Sequence, residues 1–157
     1  MATEMENLID QLELLVKINI DRTKGYSVAA RDVEEPQLKA LFEKLEKESE
    51  GFADDLGEVL KKYKQTPPET GTTAARFHQF WIDIKDKLLG KDRDAILSSC
   101  ETGDETALAT YTEALAHEKI QTLPDIQILL EGQQTIIAQD LMLIQSLRNE
   151  EKNISQA

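Results

Sequence analysis

The 157-residue chain reads as an all-α protein: a four-helix bundle running up-down-down-up, with a short extra helix in the long crossover between helices two and three. Three observations predict this. Four long stretches repeat apolar residues at alternating steps of three and four, which places them on one helix face. Two of the three connections are short, while the middle one is long and proline-rich. The composition also suits helices better than sheets, with aromatics at 5%, charged residues at 31%, and Ala, Leu, Glu, Lys and Gln prominent.

The first helix is expected over about 4–33, opened by Thr3 and Glu6 in capping-box spacing. Its stripe is Leu8, Leu12, Leu15, Asn19, Arg22, Tyr26, Ala29 and Val33, apolar at both ends and polar in the middle. The sequence Val33-Glu34-Glu35-Pro36 ends it, because a residue before proline avoids the helical region and proline suits a new first turn. The second helix, about 36–64, carries Leu38, Leu41, Leu45, Glu48, Phe52, Leu56, Val59 and Tyr63. KQTPPETGT follows, the strongest loop signal in the chain.

A shorter crossover helix is expected over about 73–89, with Ala74, Phe77, Trp81, Ile84 and Leu88 on one side and Gly90 as its stop. Asp92 can cap the third long helix, about 92–118, whose stripe is Leu97, Glu101, Asp104, Leu108, Tyr111 and Leu115. Thr122 and Asp125 have capping-box spacing ahead of the fourth long helix, about 123–150, with Ile126, Leu129, Gln133, Ile137, Asp140, Ile144 and Leu147. Residues 1–157 are expected to form one domain. The tail beyond 150 is expected to fray.

A net charge of −12 argues against nucleic acid and against anionic membrane surfaces as partners. Cys100 stands alone, so neither an internal disulfide nor a thiolate metal cluster is expected. The opening MATEMENLID is acidic where a signal peptide would be basic, and no apolar run approaches the ~20 residues of a membrane span. A cytosolic protein is the expectation.

The up-down-down-up course has a consequence for the polar members of the stripes. Arg22, Glu48, Glu101, Asp104 and Asp140 all fall about nine to twelve residues from the end that carries the 33–36 turn, at ~1.5 Å of rise per residue. Asn19, Tyr26 and Gln133 border that layer. Buried carboxylates need an answering charge. Arg22 is the expected one, placed to neutralise Glu48 and Glu101 without metal.

The rival reading makes Glu48, Glu101, Asp104 and Asp140 ligands for iron or manganese. Di-metal bundles, however, use two Glu-x-x-His pairs, and this chain has none. His78 with Trp81 suggests a small-ligand pocket or simply an amphipathic cover helix. Cys100 reads as a small buried hydrophobe, and Tyr26 and Tyr111 as buried rings with tethered hydroxyls. There is no nucleophile–base pair, phosphate-binding glycine loop or nucleotide motif.

NIDRTKGYSVAA (19–30), VEEPQLKALF (33–42), PPETGTTAARFHQFWIDIK (67–85) and AILSSCETGDETALATYTEAL (95–115) together resemble a bacterial ferritin-like four-helix-bundle family of unknown function. The likeness runs from about residue 8 to 148. It is strongest at Asp21, Gly25, Tyr26, His78, Trp81, Cys100, Glu101, Gly103 and Tyr111. Members often carry a histidine near the C-terminal part of the last helix, where this chain has Gln139, Asp140 and Leu141. The resemblance implies the ferritin-like fold and no particular activity.

The reading is therefore a small, non-enzymatic bundle with a metal-free polar core layer and a structural or protein-binding role. No cofactor is expected. The crossover helix is where a homodimer would form. A degenerate di-metal carboxylate protein is the rival, and an interaction module using an exposed helix face is a third reading.

Overall fold

The computed structural model describes residues 3–72 and 92–156, and their side chains as far as Glu150. Among these residues there are five helices and no strand: α1 (Glu4–Asp32), α2 (Pro36–Lys62), α3 (Arg93–Leu115), α4 (Glu118–Gln121) and α5 (Pro124–Gln156). The protein is an all-α helical bundle. No helix among the described residues is long and apolar enough to cross a membrane. The expected crossover helix over 73–89, with His78 and Trp81, lies outside the described residues.

Local chemistry accounts for the helix ends. Thr3 Oγ1 accepts the Glu6 N–H at 3.0 Å and Glu6 Oε2 accepts the Thr3 N–H at 3.3 Å, so the reciprocal box forms. Val33 and Glu35 are extended, and Pro36 opens α2. At the other end of α2, Lys64 takes a left-handed φ of 60°. Its N–H reaches Lys61 O at 2.9 Å and the Gln65 N–H reaches Leu60 O at 3.0 Å, which satisfies two orphan carbonyls. Asp92 caps α3 by accepting the Ala95 N–H at 3.1 Å.

Three boundaries differ from the expectation. The third long helix stops at Leu115, and the separate turn α4 is opened by His117, whose Nδ1 accepts the Lys119 N–H at 3.2 Å. Thr122 does not make a capping box with Asp125. Its Oγ1 donates to Lys119 O at 2.7 Å, closing α4 instead. Beyond residue 150, α5 continues to Gln156.

After Pro67 and Pro68 the chain turns back against α1. Asp21, buried on α1, accepts the Thr72 N–H at 3.1 Å and the Thr72 hydroxyl at 2.5 Å. Gly71 makes this strap possible, because a Cβ there would lie 1.8 Å from Asp21 Oδ1. Gly71→Ala is expected to cost about 1–3 kcal/mol in urea unfolding, by forcing the strap or Asp21 to move. Adding Asp21→Ala gives the methyl room, so the double variant is expected to lose less than the two single losses added. Unchanged stability in Gly71→Ala would mean that the strap contributes nothing.

The core has two apolar tiers. One lies by the 33–36 turn and includes Tyr26, Ala29, Leu38, Phe42, Leu45, Leu97, Cys100, Ile144 and Leu147. The other includes Leu8, Leu12, Leu15, Phe52, Leu56, Leu60, Tyr111, Ala114, Ile126, Leu130 and Ile137. Each tier draws on all four long helices.

Candidate functional site

A buried polar layer separates the tiers. Arg22, on the inner face of α1, is fully buried although arginine is almost never so unless paired. Its Nε donates to Asp104 Oδ1 at 2.9 Å, and neither side chain is exposed to solvent. Its Nη1 donates to Asn19 Oδ1 at 3.3 Å, and its guanidinium carbon sits 5.7 Å from the centre of the Tyr26 ring. Nη2 has no hydrogen-bond partner among the described residues.

Asp104 also accepts the Tyr26 hydroxyl, at Oδ2 and 2.7 Å. The Tyr26 ring in turn stacks on Phe42 at 5.9 Å, which locks its orientation. On the other side, Asn19 Nδ2 donates to the Tyr111 hydroxyl at 2.8 Å, and that hydroxyl donates to Gln133 Oε1 at 2.6 Å. Gln133 Nε2 closes on Phe52 O at 3.4 Å. A connected chain of polar contacts thus joins α1, α3, α5 and the backbone of α2.

Burial sets the titration of these groups. Burial alone would lower the Arg22 guanidinium, but the adjacent Asp104 carboxylate, with the Tyr26 and Tyr111 hydroxyls, more than offsets it and holds the cation charged above its ordinary range. Burial, reinforced by the Asp104 charge, raises the Tyr26 hydroxyl well above its usual value. The Tyr111 hydroxyl is pushed up to about 12, mainly by burial. Burial and Asp104 also push up the Cys100 thiol, so it holds its proton in the tier it packs into.

Glu48 and Asp140 form a second unit beside Arg22. Burial comes first in raising the half-buried Glu48 carboxyl to about 8, with its contact to Asp140 adding to it. Burial likewise raises Asp140. Fully ionised, Glu48 Oε2 and Asp140 Oδ2 have no donor among the described residues. A proton held by the pair supplies one. Lys44 approaches Asp140 Oδ1 only at 4.0 Å, with its own side chain 65% exposed, and does not neutralise the pair.

The structure brings together Asn19, Arg22, Tyr26, Asp104 and Gln133, and sets Glu48 and Asp140 beside them. It does not bring in Glu101, and the expected pairing of Arg22 with Glu48 and Glu101 is corrected accordingly. Glu101 Oε2 accepts from Arg148 Nη1 at 2.6 Å, and Arg148 Nε reaches Asp94 at 3.1 Å. The buried stripe of α3 is Leu97, Cys100, Asp104, Ala107, Tyr111 and Ala114, so Cys100 takes the core position assigned to Glu101. Both positions fit helical spacing from Leu97. The apolar thiol enters the core, while the carboxylate finds a cation at the edge.

Tyr111, expected only as a tethered ring, proves to be the bridge between Asn19 and Gln133. Its place on the stripe facing Asn19 is the signal that points to this. Among the described residues, no three His, Cys, Asp or Glu side chains come together as a metal donor set. An open groove of about 570 Å³ runs between α1, α2 and the Pro67–Pro68 turn, where Lys24 and Lys61 face Glu50, Asp54 and Glu58.

No curated protein matches the chain. The model of one protein family does match, over residues 7–117. That span takes in all but the first turn of α1, and α2 and α3, with Asn19, Arg22, Tyr26, Glu48, Asp104 and Tyr111, and leaves Gln133 and Asp140 outside it. The chain belongs to the family described as a domain of unknown function, DUF2383.

Proposed function

We propose that residues 1–157 form one non-enzymatic, ferritin-like four-helix bundle of a bacterial cytosol, with a structural or protein-binding role. The contact pairs support the up-down-down-up course. Tyr26 meets Phe42, Arg22 meets Asp104, Asn19 meets Tyr111, and Tyr111 meets Gln133. Rising numbers in α1 therefore meet falling numbers in α2 and in α3 alike. The acidic charge and the single, buried cysteine support a cytosolic setting.

The observation that carries the metal-free reading is the Arg22 guanidinium inside the layer. It gives Asp104 its countercharge where a di-metal centre would need a cation, and no histidine among the described residues enters the layer. The donor set therefore fits an iron or manganese centre poorly. The layer's role in this reading is to fix which helix faces meet, since any other register strands a charge.

The rival metal reading keeps one supporting feature, the unpartnered oxygens of Glu48 and Asp140. Elemental analysis decides between the two. Untagged protein prepared without chelator and challenged with iron, manganese and zinc is expected to hold less than stoichiometric metal, with an unchanged melting temperature. Stoichiometric metal that is lost in Asp140→Asn would overturn the metal-free reading and establish the rival.

A further inference from the structure

Four buried side-chain atoms among the described residues lack a hydrogen-bond partner, and three of them belong to the polar layer: Arg22 Nη2, Glu48 Oε2 and Asp140 Oδ2. Arg22 is fully buried and Asp140 only 4% exposed, so bulk solvent does not serve them. Unmet buried polar atoms are rare, because each gives up its hydration with nothing in return. Arg22 stands near enough to both carboxyls for its charge to act on each. Even so, no direct bond joins Nη2 to either of them.

The chemistry of the three atoms defines what would satisfy them. Nη2 can only donate, so it needs an acceptor. A proton shared by Glu48 and Asp140 joins those two carboxyls to each other and does nothing for Nη2. Each carboxyl oxygen also has a further lone pair that can take a donor. The occupant must therefore accept on one side and donate on the other. A halide accepts but cannot donate, and it would add negative charge beside Asp104. An ammonium or metal ion would answer the carboxylates and leave Nη2 facing a second cation. All three atoms are closed to solvent, so the occupant is small as well.

A neutral water molecule meets each of these conditions, with two protons to give and two lone pairs to offer. We propose that one buried water bridges the layer, accepting from Arg22 Nη2 and donating to the Glu48–Asp140 pair. It links the ion pair of α1 and α3 to the carboxyl pair of α2 and α5, which makes the layer one network across all four long helices. The proposal rests on the metal-free reading, since a metal ion would take the same oxygens.

A high-resolution crystal structure of metal-free wild type is the first test. It is expected to show density about 2.7–3.2 Å from Nη2 and from an oxygen of Glu48 or Asp140. An empty site, or Nη2 bonded directly to either carboxylate, would overturn the proposal alone. Density about 2.0–2.6 Å from the oxygens would be a metal ion, and would overturn the proposal and the metal-free reading together.

Oxygen-17 relaxation dispersion carries the test into solution, where it counts long-lived internal waters and ignores the exchanging hydroxyl protons of Tyr26 and Tyr111. A chain of this length is expected to hold on the order of six buried waters, so a difference between variants is needed. Replacing the pair together, Glu48→Met with Asp140→Leu, removes both carboxyls and leaves Arg22 balanced by Asp104. That double variant is expected to lose one water from the count. Ser49→Ala changes the adjacent buried position of α2 and keeps the pair, so it is expected to lose none. An unchanged count in the folded double variant, or the same loss in Ser49→Ala, would overturn the bridge. The crystal test needs no variant, so it decides even where the double variant fails to fold.

Discussion

Arg22→Leu is expected to destabilise the protein by roughly 3–5 kcal/mol, a large share of the ~5–15 kcal/mol that holds a domain of this kind together. The size follows from what is left behind. Asp104 is as buried as Arg22, and without the guanidinium its carboxylate keeps, among the described residues, only the Tyr26 hydroxyl. Asn19 Oδ1 loses its donor as well. Replacing both members, Arg22→Leu with Asp104→Leu, is expected to recover most of the loss, because a buried ion pair contributes little net stability while half of one costs much. Urea unfolding of the two single variants and the double variant makes the comparison. A single-variant loss below about 1 kcal/mol would mean that water reaches the layer and solvates Asp104.

The second large effect is a pH dependence carried by Glu48. Its carboxyl sits at about 8 in the folded chain against an ordinary 4.5. Below about 4.5 both folded and unfolded chains hold the proton, and the contribution is fully present. Between there and about 8 only the folded chain holds it, so raising the pH pulls the chain toward unfolding. Above that range the contribution is gone. One such proton can change stability by at most about 1.4 kcal/mol per pH unit.

Glu48 is half-buried, so solvent screening reduces the whole effect to about 1–2 kcal/mol. Around the pair, Arg22 from α1 and Lys44 from α2 favour the charged forms, and Asp104 from α3 opposes ionisation of Asp140. Glu48→Gln keeps an amide donor without a titrating group. It is therefore expected to gain on wild type between pH 5.5 and pH 8.5. Parallel stability curves for the two proteins would show that Glu48 does not hold its proton in the folded state.

Much of the bundle is legible in the amino-acid sequence, because helical periodicity and end signals are local. The α1 stripe is buried at Leu8, Leu12, Leu15, Asn19, Arg22, Tyr26 and Ala29. The α5 stripe is buried at Ile126, Gln133, Ile137, Asp140, Ile144 and Leu147. Periodicity misleads where two positions one residue apart satisfy the same spacing. Glu101 and Cys100 are such a pair, and the choice between them depends on Arg148, 47 positions away on another helix. Glu48 and Ser49 are another, with Ser49 fully buried and bonded back to Leu45 O at 2.7 Å. The Asp21–Thr72 strap is not legible, because it depends on where a proline-rich turn brings the chain back.

The two-tier core bears on cooperativity. Neither tier belongs to one helical hairpin: Ile144 and Leu147 complete the tier that Tyr26, Phe42 and Leu97 begin, and Ile126, Leu130 and Ile137 complete the other. The segment the family model spans ends at residue 117, before any of those α5 residues. A chain stopping there would lack one wall of both tiers and the Gln133 end of the polar layer. Folding of this core is thus expected to be one cooperative event that needs α5, with the Arg22–Asp104 pair sealed from water only once that helix is in place.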